Sequence, residues 1–290
     1  MADKEERAAQ AAKHEALMKG AFAADTKTSV ENAVVYEEGR GRALELSDPA
    51  FERTETVVTT AFATEALYRY AEGETVVVDP AAFTRPGGAY EEGAFGPEQI
   101  LCSESNLYQI LCGLKSVYHD KNRDYRRGQL CTDRAVYMPG VVFSRKGVMR
   151  TADVLAVPEP LRVRALENHR SERECDVALR DRVEAIMRIA AANGCNTLVC
   201  NAFACGRLGY DSSYVVELFK AWIDTHPGAI ARVVFAVPRV HFDVFDAAFG
   251  APAPEPEPVS VSTEDAETTG DDEAFDLSDI ELPEGVTLRA

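Results

Sequence analysis

The sequence predicts an α/β protein built on a parallel sheet, and three observations carry that prediction. Two aliphatic runs, Thr75–Asp79 and Arg232–Val237, do not alternate with polar residues and so read as strands buried on both faces. Helical stripes lie between such runs: Val183, Ile186, Met187 and Ala190 at i, i+3, i+4 and i+7, then Val215, Leu218, Phe219 and Trp222. A strand at 198–200, a loop at 201–213, the second stripe and the strand at 232–237 make a βαβ unit, which sets strands parallel and helices on the faces of the sheet.

Taken in order, residues 1–54 read as a helical N-terminal extension, and TETVVTTAFATEALYRYA (54–71) as an amphipathic helix that stops near Gly73. After the strand at 75–79, Pro97 suits the first position of a helix and Glu98 its positive end, with Ile100, Leu107, Leu111 and Leu114 along one face. AVYMPGVVFS (135–144) and DVLAVP (153–158) are further strands. The charged stretch 163–174 reads as a surface loop leading into the first stripe, which the Asn193–Gly194 pair stops. No internal repeat interrupts this order.

Bulk properties narrow the function. The chain has 290 residues, 46% of them hydrophobic, enough for a large core. A net charge of -17 argues against an electrostatic grip on nucleic acid, which needs clustered Lys and Arg. Residues 251–290 hold twelve acidic residues against one arginine and open APAPEPEP, a composition that cannot offset chain entropy by burial. The organisation expected is a folded domain over 1–250 and an acidic, disordered tail over 251–290, whose FDLSDIEL segment alternates acid and hydrophobe and can dock on another protein or on its own domain. Seven cysteines, an odd number without a CxxC pair, indicate neither a zinc ribbon nor a disulfide framework, and the five histidines share no metal-ligand spacing. No metal or cofactor is expected. With no signal-like apolar segment and no membrane-length span, the expected location is cytoplasmic.

Two glycine-bearing loops, 85–96 and 201–213, each follow a buried strand and precede a helix. They belong at the carboxyl edge of the sheet, where α/β folds bind ligands and where main-chain N–H groups can cradle an anion. Neither loop matches GxGxxG or GxxxxGK[ST], so the expectation is a phosphate-bearing ligand held in some other way.

These residues resemble a known signature. PGG (86–88), a spacer, PEQ (97–99) and ILCSESNLY (100–108) are similar to the GGG, spacer, QEE and LC..S.LY segments of the microbial-type poly(ADP-ribose) glycohydrolases. YMPGVVFSR (137–145) and NAFACGRLGYD (201–211) resemble two further family segments in the same order, so that the likeness spans roughly residues 30 to 250. The resemblance implies a macrodomain-like three-layer α/β/α sandwich with a mostly parallel central sheet, extra N-terminal helices, and ADP-ribose as ligand. It implies that Gly87, Gly88 and Ala89 line the diphosphate and distal ribose, and that Cys205, Gly206, Arg207, Leu208 and Gly209 form a second diphosphate loop. Asp79, which ends the buried run, joins the candidate ligand-binding residues, and Phe203 and Tyr210 are candidates to stack on adenine.

The chain departs from the signature where chemistry is done. Gln99 stands in the place of the family's general acid, Ala89 replaces the third glycine, and Ala82 lies where a ribose-contacting asparagine is expected. An amide cannot hand a proton to a leaving group. Glu98 remains, and at a helix start its ionised form is expected to be favoured, which suits orienting a ribose hydroxyl or activating water. Three functions follow: a hydrolase of mono-ADP-ribosyl linkages with Glu98 as the key carboxylate, a non-catalytic reader of ADP-ribose, or a scaffold presenting its acidic tail.

Overall fold

Apolar runs that do not alternate need cover on both faces, and helices supply it here. The computed structural model describes residues 3–250; the expected acidic tail lies outside the described residues. The chain runs α1 (Lys4–Ala21), α2 (Ala23–Asn32), β1 (Val34–Tyr36), β2 (Glu55–Thr59), α3 (Ala63–Tyr70), β3 (Thr75–Pro80), α4 (Pro97–Ser103), α5 (Leu107–Gly113), β4 (Ala135–Arg145) and β5 (Val148–Val157). It continues through α6 (Arg162–Glu167), α7 (Glu172–Ala192), β6 (Thr197–Asn201), α8 (Ser212–Thr225), β7 (Arg232–Ala236) and α9 (Arg239–Phe249).

The strands form one seven-stranded sheet in the order β1-β4-β5-β3-β6-β7-β2. β3 pairs in parallel with β5 and β6, and β7 in parallel with β6 and β2; β4 is antiparallel to β1 and β5. Successive β3 side chains serve opposite layers. Val76 and Val78 join the core under α7, α8 and α9, whereas Val77 joins the core under α3, α4 and α5. This is the expected three-layer sandwich with additional N-terminal helices.

Three local expectations need correction. Residues 54–71 are not one helix: Thr56, Val57, Val58 and Thr59 are β-branched, and they pair in parallel with Val233 to Ala236 at the edge of the sheet before α3 begins. The helix expected from Pro97 through Leu114 breaks in two at Glu104–Asn106, where polar groups bond to β4. Ser144 N–H donates to Glu104 O at 2.8 Å and Val142 N–H donates to Asn106 Oδ1 at 2.9 Å. The charged stretch 163–174 is helical at both ends, as α6 and as the first turn of α7, which Ser171 and Glu174 close with a capping box.

Helix α1 packs against the first glycine loop through Gly93, whose φ is +76°. Arg7 Nε donates to Gly93 O at 2.8 Å, and a Cβ at Gly93 would lie 2.0 Å from Lys4 O. Gly93→Ala combines left-handed strain with a main-chain clash, so its unfolding free energy in urea should fall by about 1–3 kcal/mol or more, with amide protection in α1 falling first.

Candidate functional site

Strands β5, β3, β6 and β7 lie side by side and in parallel, and the loops leaving their carboxyl ends enclose a cavity of about 490 Å³. Val78 and Pro80 of β3 contribute to its lining, the turn at Cys205–Leu208 to one part and Phe95–Gly96–Pro97 to another. Among the described residues, Arg207 is the only arginine or lysine that lines it. A separate cleft of about 290 Å³ beside α7 holds Arg127 and Arg170, but these are paired with Glu38 and Glu174 at 2.8 and 3.0 Å.

Helix α4 presents three faces to three surroundings. Pro97 and Leu101 line the large cavity, with Ile100 shared; Gln99 and Ser103, four apart and therefore on one face, line a cleft of about 390 Å³ between α1 and α4; Glu98 and Cys102 turn into the protein. Gln99, at the position of the expected general acid, is a clamp. Its Nε2 donates to Gly87 O at 3.0 Å, holding the glycine turn on the helix start. Gly88, at φ +60°, has room for no side chain, since a Cβ would lie 2.8 Å from Gln99 Nε2 and 3.2 Å from Glu98 Oε2. The structure therefore places Gly87 against Tyr90 and Tyr108 and Gly88 against α4, and none of Gly87, Gly88 and Ala89 is in the cavity lining.

Behind this turn lie two buried carboxyl groups. Glu98 is 4% exposed; its Oε2 accepts from Ala82 N–H at 3.0 Å and its Oε1 has no hydrogen-bond partner. Asp79 is 0% exposed and neither of its oxygens has a partner. Burial, with the charge of Glu159, pushes the Asp79 carboxyl up to about 8. Burial and then the neighbouring Asp79 push Glu98 well above the usual carboxylate range, against the pull of main-chain hydrogen bonds at Ala82 and Gly87. The expectation of an ionised Glu98 is thus corrected: desolvation outweighs the helix end, and the pair keeps a proton at neutral pH.

Of the second loop, Cys205, Gly206, Arg207 and Leu208 line the cavity. Gly209 instead packs on α6, where a Cβ would lie 2.7 Å from Val163. Phe203 is fully buried in the core, and Tyr210 points into it, its hydroxyl donating to Cys175 O at 2.9 Å. Burial pushes the Cys205 thiol up to about 12, so it is a protonated packing group rather than a nucleophile.

Sequence reasoning missed two ionisable residues of the cavity lining. Glu159 follows β5, accepts from Ala204 N–H at 2.6 Å, and is pushed by burial up to about 7. An acid between Pro158 and Pro160 at the carboxyl end of a buried run was the available signal. His241 on α9 also lines the cavity, and its place after β7 carries no comparable signal. Among the described residues no group of three or more His, Cys, Asp or Glu side chains is arranged to hold a metal ion, and no helix is long and apolar enough to cross a membrane.

Residues 5–146 match the family model of the microbial-type PARG catalytic domain, PARG being poly(ADP-ribose) glycohydrolase. No curated protein sequence matches the chain. The fold is similar to the crystal structure of PARG from Thermomonospora curvata, at 24% identity over 84% of this chain and 100% of that one, with a TM-score of 0.75. The same organism's PARG bound to the inhibitor ADP-HPD matches at 25% identity over 84% of this chain and 99% of that one, TM-score 0.72. PARG from Deinococcus radiodurans in complex with ADP-ribose matches at 21% identity over 77% and 96%, TM-score 0.67. Ordered motifs, a family model matched over residues 5–146 and a shared sheet together support assignment of this chain to the microbial-type PARG family.

Proposed function

We propose that this protein binds ADP-ribose in the 490 Å³ cavity and hydrolyses mono-ADP-ribosyl linkages, with Glu98 as the proton-donating carboxyl group. The observation that carries the reading is the buried Asp79–Glu98 pair, which supplies next to Gln99 what the amide cannot: a carboxylic acid still protonated at neutral pH. In the step envisaged, the leaving oxygen of the ribosyl bond takes the Glu98 proton, water adds to the anomeric carbon, and the proton released by water returns to the carboxylate. Support for a single ADP-ribosyl unit over polymer comes from charge. One diphosphate can be met by Arg207 and main-chain groups, whereas a chain of net charge -17 repels a long polyanion.

One observation favours a second reading, recognition without turnover: Glu98 is buried and lies outside the lining of the cavity. Calorimetric titration with ADP-ribose and release assays on mono-ADP-ribosylated protein separate the two. The hydrolase reading expects Glu98→Gln to bind ADP-ribose and to lose about a hundredfold or more in release rate; binding by the wild type with no release establishes the reader. Gln99→Glu places a carboxyl beside Gly87 O and Glu98, where it must hold a proton to keep the clamp, and should raise the release rate on mono-ADP-ribosylated protein.

The protonated pair also sets a pH dependence. Folded Asp79 holds its proton up to about 8, while the unfolded chain releases it near 4, so between those values the folded state binds more protons and stability falls as pH rises. Thermal unfolding followed from pH 5 to pH 8 should show a falling midpoint for the wild type and a flatter profile for Asp79→Asn.

A further inference from the structure

The cavity lining carries one side chain whose chemistry neither the resemblance nor the carboxyl pair uses. His241, from α9, is half-buried; its Nδ1 lies 2.8 Å from Ser212 Oγ at the first turn of α8. Its Nε2 faces Gly206 of the cavity turn, where a Cβ would stand only 3.3 Å from it. Ser212 is in turn within hydrogen-bonding reach of the Cys205 thiol. The three side chains thus form a row that starts in the core and ends in the cavity lining, at the turn that also presents Arg207.

The 2.8 Å contact between Ser212 Oγ and His241 Nδ1 can run either way, and we take the Ser212 hydroxyl as the donor, with the Cys205 thiol beside the Ser212 oxygen. His241 Nδ1 is then the acceptor. Burial holds His241 below the ordinary histidine value, so the imidazole is neutral and carries one proton. With Nδ1 accepting, that proton sits on Nε2, on the edge facing Gly206. The ring therefore offers a hydrogen-bond donor to the cavity without bringing a fixed charge into its apolar lining.

We propose that His241 is a diphosphate-binding residue, donating from Nε2 to a phosphoryl oxygen held at the Gly206 turn, with Ser212 as the positioning residue that keeps the proton on Nε2. This rests on reading the cavity as a diphosphate site, and it adds a side-chain donor to what Arg207 and the main chain provide. A donor in this place selects for the phosphoryl group and is indifferent to the base.

The test uses the whole chain and three probes: ADP-ribose, inorganic pyrophosphate and adenosine. Relative to wild type, His241→Ala should weaken ADP-ribose and pyrophosphate by about tenfold or more, as for a lost hydrogen bond to a charged group, and leave adenosine unchanged. His241→Gln, which keeps an N–H donor, should recover part of that loss and guards against a folding defect in the alanine variant. In ¹⁵N spectra of the wild type, the His241 Nε2 resonance should be that of a protonated nitrogen and should move on adding pyrophosphate; Ser212→Ala should convert it towards mixed tautomers. Unchanged phosphate affinities in His241→Ala, an equal loss for adenosine, or a wild type that binds no pyrophosphate overturns the proposal. If pyrophosphate binds through His241 while ADP-ribose does not bind, the proposal stands and the function proposed above falls. If ADP-ribose binds with no dependence on His241, the reverse holds.

Discussion

The carboxyl edge of the sheet is organised by the burial of Asp79 at the end of β3 with nothing to bond to. A neutral carboxyl left without a partner costs about 1–3 kcal/mol, whereas an isolated buried carboxylate costs far more, so the proton stays. Glu98 must then sit beside this group without adding a second charge, and its environment fits that demand. One oxygen takes the Ala82 N–H, the other takes nothing, and the glycine turn closes over it because Gly88 has no side chain to push it away. The glycines of the first loop serve this enclosure directly and the ligand cavity only at one remove.

That enclosure explains why an amide is tolerated at position 99. Gln99 lies 3.5 Å from Glu98 Oε2 and 3.0 Å from Gly87 O, both acceptors. A carboxylate in its place would face a carbonyl and a second carboxyl with a third, Asp79, behind them, and all three would compete for protons. The amide donates to both neighbours without titrating. Replacing the acid at 99 therefore leaves the turn closed and leaves the proton of the site on the carboxyls behind it.

Legibility in the sequence followed the range of the forces involved. The runs at Thr75–Asp79 and Arg232–Val237 declared themselves because a strand buried on both faces has to be apolar throughout, and α7 and α8 did because their stripes keep helical spacing. The strand β2 did not, since Val57 and Val58 followed by Ala, Phe and Leu also fit a helical stripe, and only pairing with β7 selects the extended form. The break at Glu104–Asn106 is likewise set by β4, distant in sequence. In the site, glycines and the Pro97 helix start were readable as local chemistry. The upward shift of Glu98 was not, because it depends on burial in the fold and on Asp79 arriving from another strand, and a helix-end argument sees only the local field. Glu159 and His241 escaped for the same reason: each gains its meaning from the loops folded around it.

The cavity combines an apolar mouth with sparse polarity inside, and this bears on what kind of ligand it selects. Phe62, Phe95 and Val240 line it while remaining 55%, 50% and 81% exposed, so apolar surface stands ready at its rim for a flat ring or an aliphatic group. Burial pushes Glu159 up to about 7, and the exposed Gly206–Arg207 turn brings main chain and an arginine to the cavity. A ligand that satisfies both parts carries a ring at one end and a compact anion next to it; a long polyanion satisfies the second many times over and the first once. Against a background charge of -17, each further phosphate outside the cavity is repelled without compensation. The proposed preference for a single ADP-ribosyl unit rests on where the chain has placed its few favourable contacts.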